Sequence, residues 1–125
     1  MTWRRISRTM ILVIATVLAV ASAAAQAAPV KECGNYDYAS GFTSQPIQGA
    51  GVYNITARVI SCISARRVML RSHRKWNSGV NASDGWWINA AGRRFSCRLV
   101  EEGHEYLDAR CTASGGRVAR WQEGS

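Results

Sequence analysis

The sequence predicts an α+β domain in which one helix packs on a small antiparallel sheet. The expected order is strand, helix, then a three-stranded meander, with disulfides as staples. Three observations lead there. The hydrophobic period changes from two to 3.6 residues at Ser61. Two later segments alternate apolar and polar residues, and a third short strand follows a Gly-Gly turn. Four cysteines lie within a chain of 125 residues, where a limited core calls for crosslinks.

The first 27 residues have the layout of a cleavable export signal. Arg4, Arg5 and Arg8 open the chain, an uncharged run from Met10 to Val20 follows, and Ala25-Gln26-Ala27 fits a small-x-small cleavage site. The rival reading is a retained anchor, because the uncharged stretch from Thr9 to Val30 could span a bilayer. Its alanine-rich second half, interrupted by Gln26, favours cleavage after Ala27 or Ala25. Ile6-Ser7-Arg8 fits general secretion better than the twin-arginine route. The expected divisions are therefore a signal over 1–27, an extended N-terminal arm over 28–51 and a small α+β domain over 52–125.

The arm is rich in Gly, Ser, Asn and Gln and has no sustained period, so it reads as extended chain pinned by Cys33. Tyr36, Tyr38 and Phe42 are its candidate anchors. Tyr53, Ile55, Ala57 and Val59 alternate with Asn54, Thr56 and Arg58, which predicts a strand with one buried face. Ser61 can cap a helix N-terminus. From there Cys62, Ala65, Val68, Met69, Ser72 and Trp76 share one side of a helical wheel, and Arg67, Arg71, Arg74 and Lys75 the other. The helix is expected to end before Asn77-Ser78-Gly79. An all-helical start at Thr56 is the alternative, and the β-branched run through Ile63 favours strand first.

Asn77 to Gly92 reads as a loop holding Trp86-Trp87-Ile88. Phe95, Cys97 and Leu99 then alternate with Arg94, Ser96 and Arg98. Glu101-Glu102-Gly103-His104 is expected as a turn. Leu107, Ala109 and Cys111 alternate next, and Ser114-Gly115-Gly116 leads into a last strand over 117–122.

Cys33, Cys62, Cys97 and Cys111 read as two disulfides. Their intervals of 29, 35 and 14 residues contain no C-x-x-C pair, which argues against zinc. Matching the apolar faces of the hairpin places Cys97 opposite Ala109 and Phe95 opposite Cys111. Cys97 and Cys111 would then be diagonal neighbours about 7–8 Å apart, too far for an easy bridge. Cys62 is therefore expected to pair with one of them and Cys33 with the other.

The stretch from Asn54 to Val68 resembles a segment of small secreted, cysteine-containing proteins from high-GC, actinobacterial-type bacteria. That group pairs a Ser-Cys-x-x-Ala-Arg helix start with a later aromatic-x-Cys strand and a terminal Arg-Cys-Thr…Gly-Gly-Arg-x-x-x-Trp strand. The matching pieces here are Ser61-Cys62, Ala65-Arg66, Phe95-Ser96-Cys97, Arg110-Cys111-Thr112, Gly115-Gly116-Arg117 and Trp121, within residues 52–122. The resemblance implies export and a similar fold. It carries no assigned activity and transfers no site.

The chain holds 16 Lys and Arg against 8 Asp and Glu. Subtracting the three arginines of the leader leaves 13 − 8 = +5 for the exported part, and all but Lys31 and Lys75 of those cations are arginine. Arginine suits two-pronged contacts with carboxylate or phosphate, so the charge points to anionic partners. Arg67, Arg71, Arg74 and Lys75, with Arg66 and His73 at the rim, form a basic helix face suited to an anionic envelope polymer, an anionic lipid surface or an acidic exported protein. The bland reading is a solvated face opposite the core. Trp86 and Trp87 can serve as a stacking platform for sugars or bases, or as core filler.

His73, His104, Glu101, Glu102, Glu105 and Asp108 are the groups an enzyme would use, and nothing in the sequence gathers them. Asn54-Ile55-Thr56 and Asn81-Ala82-Ser83 match the N-glycosylation pattern and receive no role. No cofactor or metal motif is present, and no signature of specific nucleic-acid binding. The leading expectation is a secreted or envelope-associated, non-enzymatic binding protein for an anionic or glycan-like partner. The alternatives are an inhibitor or toxin-like protein acting on another exported protein, and a small secreted nuclease.

Overall fold

The computed structural model describes residues 28–79, 84–102 and 106–124. The expected leader, the triplet Asn81-Ala82-Ser83, and His104 with Glu105 lie outside the described residues. Within them the elements are β1 (Lys31–Glu32), β2 (Asn35–Asp37), β3 (Gly41–Thr43), β4 (Gly51–Arg58), α1 (Cys62–Asn77), β5 (Trp86–Ala90), β6 (Arg93–Glu102), β7 (Tyr106–Ala113) and β8 (Arg117–Gly124). All strands pair antiparallel in one sheet of order β3-β2-β4-β8-β7-β6-β5, with β1 also on β4. The expectation of one helix on a three-stranded meander is thus overturned. The described residues are mostly antiparallel sheet with a single helix.

Four of the eight strands lay where loop or arm was expected. β1, β2 and β3 are two or three residues long, too short to show a period. β1 and β2 are recruited by backbone pairing to β4, with Lys31 opposite Ala57 and Tyr36 opposite Val52, and β3 pairs in turn with β2. Residues 28–51 therefore form one flank of the sheet. Tyr36 packs on Phe42 across the β2–β3 hairpin, with ring centroids 4.7 Å apart. β5 is the fourth unread strand and is described with the site.

The helix is as expected. Ser61 has extended backbone, and its hydroxyl accepts a hydrogen bond from the Ser64 amide at 3.1 Å, satisfying one donor of the first turn. At the other end Ser78 and Gly79 donate to carbonyls of the last turn, and Gly79 has φ +97°. Ala65, Val68, Met69 and Ser72 are buried. They face β4 and β8 on one side and β5 on the other, so the sheet curls around the helix. Phe95, Trp121, Ile55 and Met69 fill the space between, all fully buried. Burying each such side chain contributes about 1.5–3 kcal/mol.

Two bulges shift the expected registers. In β4 the pairing with β8 slips between Tyr53 and Thr56, where Asn54 has φ 53°. Hence Val52 rather than Tyr53 points inward ahead of the bulge, while Ile55 and Ala57 point inward after it. Val59, also expected inward, lies beyond the strand and is exposed. In β6 the slip falls between Leu99 and Glu101. The β6–β7 pair extends to Glu102 opposite Leu107, so Glu101 and Glu102, expected in a turn, belong to the strand. That moves Cys97 directly opposite Cys111 and Leu99 opposite Ala109.

The disulfides are accordingly Cys33–Cys62 and Cys97–Cys111. The pairing of Cys62 with a meander cysteine is overturned. Cys97 and Cys111 are a cross-strand pair with Cα atoms 4.0 Å apart, the close approach of a non-hydrogen-bonded antiparallel pair. Cys33–Cys62 ties the β1–β2 junction to the first turn of α1. Arg66 reinforces it by donating from Nε and Nη2 to the Cys33 carbonyl at 3.1 and 2.9 Å.

Candidate functional site

The site is built on α1 and β5, which run side by side in opposite directions. Trp86 fixes their distance. Its indole is 5% exposed, donates from Nε1 to the Ser72 hydroxyl at 2.6 Å, and meets Trp76 edge-on at 5.1 Å. Trp86 is therefore a core residue that sets the site, and Trp87 is the exposed member of the pair at 55%. The alternation continues: Ile88 and Ala90 are buried, Asn89 is exposed. Trp87 and Asn89 accordingly turn their side chains to the sheet face away from the helix.

β5 is linked to β6 by Ala91-Gly92, with φ values of 50° and 72°. Both positive angles identify a type I′ turn, whose twist suits a two-residue hairpin. Gly85, with φ +73°, begins the strand, and a Cβ there would meet the Cys97 carbonyl oxygen at 2.7 Å. The expected Trp86-Trp87 loop is thus a strand held between a glycine and a tight turn.

Hairpin geometry decides where the β5 backbone points. The closing pair Ala90 and Arg93 exchange hydrogen bonds, as do Ile88 with Phe95 and Trp86 with Cys97. Trp87 and Asn89 then direct their N–H and C=O groups to the opposite side. β5 ends the sheet order, so that side is a free edge among the described residues. The same parity leaves Cys97 and Cys111 as the non-hydrogen-bonded pair seen in their close Cα atoms.

Along this edge runs an open groove whose largest section is about 640 Å³, bounded by Arg71, Arg74 and Lys75 on the helix side and by Trp87, Asn89 and Arg94 on the strand side. It continues toward the turn past Arg67 and Arg93. Arg71 borders every section. Six cations thus line it and, among the described residues, no carboxylate does. Arg94 lies over the Trp87 ring, 4.6 Å from its centroid, which holds the guanidinium while leaving its in-plane donors available. Like charges confined this way repel one another and attract an anion.

The structure therefore gathers Arg67, Arg71, Arg74, Lys75 and Trp87 in one place. Arg93, Arg94, Asn89 and the β5 edge were not anticipated. A signal existed: Trp86, Ile88 and Ala90 alternate with Trp87 and Asn89 directly ahead of a Gly-containing pair. Alanine at 90 and 91 weakened it, since neither β-propensity nor turn preference favours that residue.

Of the titratable groups considered for catalysis, His73 and Asp108 lie elsewhere. His73 lies on the far side of α1 from the groove. Its Nδ1 is 3.1 Å from Glu123 Oε1, its Nε2 is 3.1 Å from Asn77, and its ring stacks on Tyr38. Partial burial there, and secondarily the Glu123 charge, push the Tyr38 phenol up to about 12. Asp108 is buried and accepts a bidentate pair of hydrogen bonds from Arg120 at 2.9 and 2.7 Å. Arg120, Arg110 and Arg98 stand in register across β8, β7 and β6 on the face away from the helix. The Nε of Arg110 is buried there without a hydrogen-bond partner among the described residues. No group of three or more His, Cys, Asp or Glu that could hold a metal occurs among the described residues.

Comparison of the chain with known protein families, curated proteins and solved structures gives no match. Two disulfides fit folding in an oxidising compartment outside the cytoplasm. Among the described residues, no helix is long and apolar enough to cross a membrane.

Proposed function

We propose that this is an exported, non-enzymatic binding protein that holds an anionic partner in the groove between α1 and β5. Export rests on the leader pattern of residues 1–27 together with the two disulfides. The observation that carries the binding reading is the groove itself: six cations from two elements converge on one cleft that no described carboxylate enters. A merely solvated basic face would need no such convergence. Arg94 already covers one face of Trp87, which favours charge recognition over stacking of a neutral sugar.

The test is calorimetric titration with inorganic polyphosphate at low salt, comparing the unaltered protein with Arg71→Glu/Arg74→Glu. Affinity should fall at least a hundredfold, because two attractions become two repulsions. The logarithm of the binding constant should fall linearly with the logarithm of salt, and less steeply in the variant. Equal affinity in both proteins rejects the groove as the binding surface.

A further inference from the structure

We propose that the partner is an extended acidic segment of another protein, which adds as a strand to the free edge of β5. The inference rests on the anion-binding reading above and deepens it.

The groove floor is backbone as well as charge. Trp87 and Asn89 each send one N–H and one C=O to the open edge, about 6.8 Å apart along the strand. These are the two donors and two acceptors that a neighbouring β-strand engages. A phosphate polymer has no N–H for the two carbonyls, whose dipoles repel it from the edge, so it is held by the cations alone. A polypeptide satisfies all four groups.

The flanks specify the peptide's side chains. A strand added to β5 has alternate residues on its two faces. One set would meet Arg71, Arg74 and Lys75, which share one helical face at spacings of three and four. The other set would meet Trp87 and Arg94. Acidic residues at every second position thus match the helix side, with apolar or mixed residues toward the indole. A second copy of this chain is the wrong occupant. Edge-to-edge pairing would bring two sets of six cations together with nothing to offset them.

Unprotected edges commonly carry a charge or proline that discourages pairing. Here the charges stand beside the edge and are all of one sign, so pairing is selective for acidic strands.

The experiment uses two probes on the intact exported chain, a ten-residue peptide of alternating Glu and Val and inorganic polyphosphate. The informative substitution is Asn89→Pro, with Asn89→Ala as its side-chain control. The Asn89 amide takes no part in the β5–β6 ladder, so proline removes a docking donor and spares the hairpin. Asn89→Pro should weaken peptide binding about tenfold while polyphosphate binding stays within twofold. Asn89→Ala, which trims only the side chain, sets the baseline against which the proline effect is read. Arg71→Glu/Arg74→Glu should weaken both.

Unchanged peptide affinity in Asn89→Pro overturns strand addition, and the groove reading survives if the double glutamate variant still loses polyphosphate. Failure of both probes to bind the unaltered protein rejects the groove reading itself. Binding of polyphosphate without the peptide also overturns the proposal. Should the proline variant not fold, amide hydrogen exchange on the unaltered protein decides. The peptide should slow exchange at Trp87 and Asn89 at least tenfold and leave Ile88, already bonded to β6, unchanged. No slowing at the two amides refutes strand addition.

Discussion

Removing either disulfide tests which crosslink holds the scaffold. Cys33–Cys62 spans 29 residues and Cys97–Cys111 spans 14. In the chain-entropy account these loops restrict the unfolded state by about 3.6 and 3.0 kcal/mol at 25 °C. Cys97 and Cys111 are also fully buried, at 1% and 0% exposure, so replacing both with alanine leaves unfilled core volume. That adds about 1 kcal/mol for each lost sulfur. Cys33, at 2% exposure, adds one such loss as well, so replacing either pair with alanine should cost about 5 kcal/mol. A domain of this size commonly has about 5–15 kcal/mol in total, so either change removes a large share. Equilibrium urea unfolding followed by tryptophan fluorescence measures it, with midpoint shifts of about 2–3 M expected at a slope of about 1.5–2 kcal/mol per molar. The two losses should differ in kind. Without Cys33–Cys62, β1 to β3 should lose amide protection ahead of the β6–β7 pair, because the arm segment then relies on short ladders and the Arg66 contact alone. Midpoints within 0.5 M of the unaltered protein for both pairs would refute the claim that the crosslinks sustain this core.

Ala91→Asn should stabilise the protein by about 1 kcal/mol, since Ala91 occupies left-handed backbone that asparagine tolerates better; calorimetry should show a rise of about 4–8 °C, and a fall would contradict the turn assignment. Trp86→Phe should cost about 2–3 kcal/mol by leaving the buried Ser72 hydroxyl without its indole donor. In a double-mutant cycle with Ser72→Ala most of that loss should disappear, and strict additivity would show the bond to be idle. Tyr38, with its phenol raised from 10.0 to about 12, stays neutral in the folded protein where the unfolded chain ionises. Its contribution is complete below pH 10 and is lost as pH rises toward 12. Absorbance titration should show a tyrosine step near pH 12, and Tyr38→Phe should remove that step and flatten stability between pH 10 and 12.

The sequence disclosed those parts of the fold that many side chains repeat. Sixteen residues of α1 carry a coherent apolar stripe and a capping serine, so its limits were readable. β7 was plain from alternation, and β8 from the Gly-Gly turn ahead of it, though it runs two residues beyond the expected end. β1 to β3 were not, because two- and three-residue strands form through backbone pairing supplied by β4, a long-range cause with no local trace. The disulfide pairing was missed because Glu101 and Glu102 continue the strand instead of turning: with the bulge after Leu99 the register lies two residues from the expected one, which puts Cys111 rather than Ala109 opposite Cys97. The helix arginines and Trp87 were visible individually. Their meeting depends on β5 lying at the sheet edge, which follows from the order of eight strands and from no segment alone. Trp86 and Trp87, adjacent in the chain, end on opposite faces because a strand alternates.

The most direct test of the central claim is backbone chemical-shift mapping of the unaltered protein titrated with the alternating Glu-Val peptide at low salt. The account predicts saturable shifts confined to residues 67–75 and 86–94, with little change at Arg98, Arg110 and Arg120. Shifts that concentrate on that second arginine row, or spread evenly over all exposed cations, would contradict it.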